Sequence, residues 1–232
     1  MRGDKLTLTG EESAHLTQVL RARPGDIFWA IDGTGRKYRA VIETIGKKDI
    51  VGIIAATTRL ENEPFYQITL AQGLCRQGKM DEIVEKGTEL GVSSFVFFYS
   101  EKGYADEAPN RRLKRLDRVA RAAAKQSKRS IIPSVSDPIP FTQMLRLRNQ
   151  YDLSLAAVFH PQARPLETYL GEMSAIKRIL LAVGPESGFS DIETAACIEY
   201  GFQPVSLGPR RLRTETAGIV FPALVLNRLG DL

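Results

Sequence analysis

The stretch ILLAVGPESGFSDIE, residues 179–193, indicates how the carboxyl-terminal part of the chain folds. Its first five residues are apolar without interruption, which is typical of a strand that is buried on both faces. Ser190 and Glu193 form the pattern of a capping box, so we expect a helix to begin after Ser190. Gly184 and Gly188 therefore lie between a strand and a helix, where ligands bind in open α/β sheets. Taken alone, the stretch is better explained as an ordinary strand-to-helix turn.

A second loop of the same kind lies at residues 207–217, LGPRRLRTETA, between a short apolar strand and the last helix. Two loops that follow neighbouring strands can meet over a single crevice. Three arginines crowd the entry to this helix, Arg210, Arg211 and Arg213. Their mutual repulsion favours an anion or a polar ligand among them, and solvated surface arginines explain the pattern equally well.

The composition limits the class of protein. The chain has 232 residues, of which 43% are hydrophobic, enough for one large or two modest globular domains. The net charge of +5 is compatible with a polyanionic partner or with an ordinary basic protein. Two cysteines and two distant histidines predict neither a disulfide framework nor a metal site. Since no apolar run has the length of a membrane span and no signal-peptide pattern opens the chain, we expect a cytoplasmic protein without membrane contact.

The pattern of strands and turns changes near residues 60–66. Before this point, three strand-like runs separated by turn signals predict a meander that curls into a small barrel: 26–31, 38–45 and 50–55. A short helix is expected over 11–21, with Leu16, Val19 and Leu20 on one face. The polar residues 57–64 are typical of a linker.

After residue 64, strands alternate with helices, which predicts a parallel sheet covered by helices on both faces. The predicted strands are 66–71, 95–98, 153–159, 179–183 and 204–207. The predicted helices are 80–90, which should end at Gly91, 111–129, 166–173, 191–200 and 215–229.

The predicted helix over 111–129 carries basic residues opposite an apolar face. The basic stripe comprises Arg111, Arg115, Arg118, Lys125 and Arg129, flanked by Lys114, Arg121 and Lys128. For any one of these residues, exposure to solvent is the simpler explanation. Only Asp117 counterbalances them within the helix, however, and a stripe of one sign this long favours contact with phosphates.

The two loops match no known phosphate cradle or hydrolase motif. The sequence contains no Gly-x-Gly-x-x-Gly after a first strand, no Gly-Lys-Ser/Thr loop and no Gly-x-Ser-x-Gly. Enzymes that use dinucleotides or nucleoside triphosphates are therefore disfavoured, as is a hydrolase with a catalytic triad.

Several ordered segments together resemble one family. The segments are HL at 15–16 with VLR at 19–21, KGTELGV at 86–92, AKQSKR at 124–129 before Pro133, GPE at 184–186, and LG at 207–208 with LRTETA at 212–217. They resemble the bacterial 16S ribosomal RNA uridine-N3 methyltransferase family of the SPOUT superfamily. The resemblance covers nearly the whole chain.

The resemblance implies an α/β fold in which a small PUA-like β-barrel over residues 1–63 precedes a methyltransferase domain over 64–232. The parallel sheet of the second domain would carry a carboxyl-terminal trefoil knot that binds S-adenosylmethionine. The protein would act as a homodimer, without a metal, on N3 of a uridine in 16S RNA of the small ribosomal subunit. The family's first loop usually reads Gly-Pro-Glu-Gly-Gly, so Ser187 replaces a glycine, which suits a position with an ordinary φ angle.

The resemblance also implies site residues. The cofactor-binding residues would be Gly184, Pro185, Glu186, Gly188, Leu207, Gly208, Leu212, Arg213, Thr216 and Ala217. Main-chain groups of the two loops would bind the cofactor, and the apolar members would pack on its adenine. The RNA-binding residues would be His15, Arg21, Arg111, Arg115, Arg118, Arg121, Lys125, Arg129, Arg210 and Arg211.

The expected reaction is an in-line attack of uracil N3 on the sulfonium methyl group. Because N3 is protonated at neutral pH, a cation near uracil O2 or O4 would stabilise the developing anion. We assign this catalytic role to Arg213, with Arg210 or Arg211 as substitutes, and regard Glu186 and Glu215 as candidate bases. Positioning can supply much of the rate.

Three other functions remain open at this stage. One is a related methyltransferase that acts on the ribose 2′-hydroxyl, against which the predicted barrel and residues 15–21 argue. Another is a non-catalytic RNA-binding or assembly factor that kept the fold. The third is a dinucleotide-dependent enzyme, which the missing fingerprint disfavours.

Overall fold

The chain divides into two units in the computed structural model, which describes residues 4–103, 109–170 and 176–232. The first unit comprises Met1–Glu63 together with Arg129–Ile131. The second comprises Pro64–Lys128 and Ile132–Leu232.

The first unit is built on a four-stranded antiparallel sheet. Its strands are β1 (Lys5–Thr9), β2 (Ile27–Ile31), β3 (Arg36–Ile45) and β4 (Asp49–Arg59), in the order β1-β4-β3-β2. The predicted meander is thus confirmed, with the edge strand β1 added. Residues 57–59 belong to β4, so this part of the predicted linker is wrong. Phe28, Ala40, Ile42 and Ile50 form the core under the sheet.

The predicted helix over 11–21 is shorter and changes type midway. Helix α1 (Gly10–Ala14) continues as a π-helical turn, His15–Val19, in which the amide of Leu20 donates to the carbonyl of His15 at 3.1 Å. The wider turn rotates the residues that follow it away from the 3.6-residue period. Leu16 therefore packs toward the core while Val19 and Leu20 are exposed, and the prediction of one shared face is wrong.

The second unit contains a parallel sheet, as predicted. Its long strands are β5 (Gln67–Gly73), β6 (Ser94–Tyr99), β9 (Leu153–Ala157), β11 (Arg178–Val183) and β12 (Gln203–Ser206), and its short strands are β7 (Ser134–Val135), β8 (Ile139–Pro140) and β10 (Arg164–Pro165). The order is β10-β12-β9-β11-β5-β6-β7, with β8 also paired to β6. The apolar strands β11 and β5 lie side by side at the centre.

Helices cover both faces of this sheet. They are α2 (Gln77–Leu90), α3 (Pro109–Gln126), α4 (Phe141–Leu147), α5 (Asp191–Glu199) and α6 (Thr214–Arg228). Successive residues of β11 point to opposite faces: Leu181 packs in the cluster that contains residues of α2, α3 and α6, and Leu180 in the cluster with α4 and α5. Helix α2 ends at Gly91, as predicted, and the glycine adopts the left-handed conformation.

Some predicted boundaries differ from the structure. Helix α3 ends at Gln126, and the following residues 129–131 belong to the first unit. Strand β9 ends at Ala157 instead of residue 159. In place of the predicted helix over 166–173, Leu166–Thr168 forms a single 3₁₀ turn, and residues 171–173 lie outside the described residues. Helix α4 was not predicted.

The capping box at the start of α5 is present. The amide of Glu193 donates to Ser190 Oγ at 3.2 Å, and the amide of Ser190 donates to Glu193 Oε2 at 2.9 Å. Both side chains are buried, and Glu193 also accepts hydrogen bonds from Ser100 Oγ and the amide of Glu101. The box therefore fixes both the helix and the loop that follows β6.

We expect Ser190→Ala to lower the free energy of unfolding by about 1 kcal/mol, because the substitution removes the acceptor of the N-cap. Urea unfolding followed by circular dichroism measures this change. Glu199→Ala, at the exposed other end of α5, is the control and should not lower stability. Equal stability of the Ser190 variant and the native chain would contradict the role of the cap.

Candidate active site

A pocket of about 420 Å³ opens at the carboxyl ends of three neighbouring strands, β9, β11 and β12. Its walls are residues 157–159 at the end of β9, 183–189 at the end of β11 and 207–214 after β12, apart from Pro209. Asp191 and Thr194 of α5 and Ala217 of α6 complete them. The two loops singled out in the sequence therefore line one pocket. Its volume lies in the range of small-molecule and cofactor sites.

The first loop folds tightly, and Ser187 fits it without strain. A Cβ atom at Gly184 would lie 2.7 Å from the amide nitrogen of Phe189, so only glycine allows this close approach. Gly188 has a φ of +73°, whereas Ser187 is not among the residues with positive φ. The hydroxyl of Ser187 donates to the carbonyl of Lys102 at 3.0 Å. The position that lacks the family's glycine therefore has ordinary backbone angles.

A buried amide connects the two loops to the central strand β5. Gln72 is 0% exposed, and its Nε2 donates to Thr214 Oγ1 at 2.9 Å and to the carbonyl of Gly184 at 3.0 Å. Thr214 Oγ1 in turn donates to the same carbonyl at 2.7 Å. We did not identify Gln72 from the sequence. The available signal was a polar residue directly after the predicted buried strand 66–71.

The two candidate bases differ in their surroundings. Glu186 lines the pocket, and its Oε1 accepts from the amide of Arg76 at 3.1 Å, at the start of α2. Lys79 Nζ lies 3.0 Å from Glu215 Oε2 and, less closely, 3.8 Å from Glu186 Oε1. Burial raises the pKa of Glu215, but its own amide, Lys79 and Arg213 outweigh this effect, so the pKa falls below the usual value. A carboxylate with a lowered pKa is a weaker proton acceptor, which disfavours Glu215 as the base.

Arginines and an aromatic ring form the exposed rim of the pocket. Arg210, Arg211 and Arg213 all line it with exposed side chains, and Arg213 is the N-cap residue of α6. The guanidinium carbon of Arg211 lies 5.2 Å from the ring centroid of Phe159, which is 62% exposed. The predicted strand 153–159 ends with Phe159, so its exposed position at the rim was not expected from the sequence.

Most of the predicted cofactor residues line the pocket. These are Gly184, Pro185, Glu186, Gly188, Leu207, Gly208, Leu212, Arg213 and Ala217. Thr216 is half-buried on α6 and is not one of the lining residues, whereas Thr214 is. Val158 and Asp191 also line the pocket and were not predicted.

The structure separates Arg129 from the other predicted RNA-binding residues of its stripe. Arg111, Arg115, Arg118, Arg121 and Lys125 are exposed on α3. Two of them already contact carboxylates, since Arg115 lies 2.7 Å from Asp81 and Arg121 lies 2.8 Å from Asp117. The side chain of Arg129 is only 3% exposed and lies 2.7 Å from the buried carboxylate of Glu63, so we leave it out of the RNA surface. His15 and Arg21 are exposed in the first unit.

Other reactive groups offer little chemistry. Burial raises the pKa of the Cys75 and Cys197 thiols to about 12, which makes both inert at neutral pH. Within residues 4–103, 109–170 and 176–232, no cluster of three or more His, Cys, Asp or Glu side chains could hold a metal ion. No helix in the same part of the chain is long and apolar enough to cross a membrane.

Comparison with known proteins agrees with this arrangement. The model of an RNA methyltransferase domain family matches residues 61–226, and that of an RNA methyltransferase PUA domain matches residues 8–55. The fold and site thus define an RNA methyltransferase. The ribosomal RNA small subunit methyltransferase E of Synechocystis is 34% identical, over 93% of this chain and 70% of that protein. The protein of the same name from Bacillus subtilis is 29% identical, over 91% of this chain and 85% of that one.

Solved structures show the same similarity. The ribosomal RNA small subunit methyltransferase E of Neisseria gonorrhoeae, bound to S-adenosylmethionine, has a TM-score of 0.86 at 29% identity, over 98% of this chain and 93% of that one. A protein of Legionella pneumophila, solved in complex with the same cofactor, has a TM-score of 0.85 at 28% identity, over the same shares of the two chains. This chain belongs to the ribosomal RNA small subunit methyltransferase E family.

We expect Thr214→Val to lower the free energy of unfolding by about 1–3 kcal/mol, because it leaves the buried Gln72 amide and the Gly184 carbonyl short of a partner. Amide hydrogen exchange in residues 183–189 should also accelerate. Urea unfolding and mass-spectrometric exchange measure the two effects. Thr214→Ser keeps the hydroxyl and serves as the matched control. If valine were tolerated as well as serine, the hydrogen bonds would not hold the loops.

Proposed function

We propose that this protein transfers a methyl group from S-adenosylmethionine to N3 of a uridine in 16S ribosomal RNA, and that it works in the cytoplasm as a homodimer. The observation that carries the proposal is the pocket at the ends of β9, β11 and β12, in a chain of the methyltransferase E family. The cofactor seen in the Neisseria gonorrhoeae structure supports the donor. The family name supports the substrate.

The residues of the pocket fit this cofactor. Val158, Leu207, Leu212 and Ala217 give an apolar wall for the adenine ring. The carboxylates of Glu186 and Asp191 can meet the ammonium and sulfonium charges. A ligand without phosphates needs no phosphate-binding loop, which agrees with the motifs that the sequence lacks. When bound, S-adenosylmethionine supplies a methyl group on a positive sulfur that leaves as a neutral thioether.

We also propose that the carboxyl-terminal part of the chain forms the trefoil knot expected from the resemblance. Helix α6 follows β12, which lies next to the edge strand β10, yet α6 packs on β5 and α2. The chain therefore crosses back over the sheet between residues 206 and 214. The contact of Thr214 with Gly184 at this crossing supports the proposal.

Arg213 is the residue to which we assign stabilisation of the uracil anion. It extends from the N-cap of α6 at the rim of the pocket, where a guanidinium can donate to uracil O2 or O4. Glu186 is the better placed of the two candidate bases, because it lines the pocket and Glu215 does not. The remaining contribution to the rate comes from the loops around the pocket, which orient the uracil ring.

We expect Arg213→Ala to slow methyl transfer about 10²- to 10³-fold, as is typical when a donor to a developing anion is removed. The affinity for S-adenosylmethionine should be nearly unchanged, and Arg213→Lys should restore part of the rate. Single-turnover assays and titration calorimetry measure these quantities. Arg228→Ala, at the far end of the same helix, is the control. Unchanged turnover would remove Arg213 from the mechanism, and loss of cofactor binding would make it a binding residue.

The basic stripe of α3 is proposed to bind RNA phosphates. Arg111, Arg118 and Lys125 are exposed on one helix, and each phosphate contact releases counterions from the RNA. We expect log K for RNA to fall linearly with log salt, and Arg118→Ala to reduce the slope by about 1. Lys86→Gln is the control, since Lys86 already pairs with Glu85 and Glu89. RNA binding that does not depend on salt would show that the stripe does not contact RNA phosphates.

Nucleoside analysis separates the proposed activity from its alternatives. Small-subunit RNA from cells that lack this protein, incubated with pure enzyme and labelled cofactor, should yield 3-methyluridine after digestion. A label in 2′-O-methylated nucleosides would instead support the ribose methyltransferase. Cofactor binding without labelled product would point to an assembly factor.

A further inference from the structure

The outer face of the first unit's sheet carries apolar side chains in the middle of its strands. In β2, Phe28 points into the core, so its neighbours Ile27 and Trp29 point outward, and they are 52% and 54% exposed. In the register of the sheet, Ile27 lies opposite Val41, and Val41 lies opposite Ile53. Three adjacent strands therefore contribute to one apolar row. Contiguous apolar patches on a protein surface are interaction sites more often than other parts of the surface are.

Cations surround the tryptophan on this face. Arg39 lies directly opposite Trp29 in the register and is exposed. Lys37 Nζ lies 4.8 Å from the centroid of the indole ring and 2.8 Å from Glu61 Oε1. The ion pair with Glu61 anchors the lysine beside the ring, and more than half of Trp29 stays exposed. Opposite Arg39 on β4 stands the small Ala56, which leaves room beside the ring.

We propose that this face, formed by Ile27, Trp29, Arg39, Val41 and Ile53, binds single-stranded RNA, with the indole stacked on an unpaired base. The proposal rests on the RNA substrate of the proposed function and adds a site that neither loop nor stripe provides. A flat, oriented aromatic ring beside an exposed guanidinium matches the two parts of a nucleotide, the base and the phosphate. An open antiparallel sheet with aromatic side chains is also a known platform for unpaired bases.

The positive charge on this face favours single-stranded RNA over a membrane or a protein partner. A membrane or a protein partner could pack on the apolar row, but neither would require Arg39 beside the ring. Duplex RNA offers phosphates, but its bases are stacked on each other and cannot reach the indole. The face therefore distinguishes single strands from duplexes through Trp29.

The chain offers a direct probe, because Trp29 is its only tryptophan. We expect a single-stranded 12-nucleotide RNA to quench the tryptophan emission of the full-length protein as it binds. The same RNA annealed to its complement, and inorganic polyphosphate, should bind with little quenching. Absence of quenching at saturating single-stranded RNA, or equal quenching by polyphosphate, would overturn the proposal.

Variants test the same contact without the intrinsic signal. By anisotropy of labelled single-stranded RNA, Trp29→Ala should weaken binding about tenfold. Trp29→Phe should retain most of the affinity, and duplex binding should not change. Tyr200→Ala, which removes another exposed aromatic side chain, is the matched control and should bind like the native protein. Equal affinity of Trp29→Ala and native protein would overturn the proposal.

Three further results have distinct meanings. If Trp29→Ala instead dissociates an oligomer in sedimentation experiments and leaves RNA affinity unchanged, the face binds a second copy of the chain and the RNA proposal is overturned. If native protein shows the quenching but makes no 3-methyluridine, the RNA site at Trp29 is supported and the proposed methylation is overturned. If methylation is intact but quenching is absent, only the RNA site at Trp29 is overturned.

Discussion

The pocket depends on the hydrogen bonds that Gln72 and Thr214 make to Gly184. These three residues belong to β5, to the start of α6 and to the loop after β11, so one small network joins elements far apart in the chain. Because Gln72 is fully buried, water cannot take over its hydrogen bonds, and separating the loops would leave polar groups unpaired. The network therefore keeps the two loops at a fixed distance, and with them the shape of the pocket.

This fixed shape divides the pocket into chemically different parts. Apolar side chains such as Leu212 and Ala217 lie on the inner wall, whereas Arg210, Arg211 and Arg213 lie at the exposed rim. A methyl donor without phosphates suits the inner part, and an RNA that carries negative charge suits the rim. The rim is also where a developing uracil anion would need a cation. In the proposed mechanism, the same arginines would both attract the RNA and stabilise the uracil anion.

The sequence predicted what depends on local patterns. Unbroken apolar runs such as 179–183 gave the strands, and Ser190 with Glu193 gave the start of α5, because each signal lies within a few residues. Contacts between distant residues were missed. Arg129 has the pattern of a surface cation, but its partner Glu63 lies 66 residues earlier. Gln72 likewise contacts two loops that lie more than 100 residues further along the chain.

Both units carry exposed aromatic side chains that could contact an unpaired base. The N3 atom of uridine takes part in base pairing, so methylation requires a base that is already unpaired or has been flipped out. A basic helix cannot make this distinction by itself, because duplexes and single strands both carry phosphates. Stacking can make it, since only an unpaired base exposes its face. Trp29 in the first unit and Phe159 at the pocket rim are both exposed aromatic rings with a cation nearby, at 4.8 and 5.2 Å from the ring centroids respectively. In the proposed function, selection of an unpaired nucleotide would therefore rest on stacking against these rings more than on net charge.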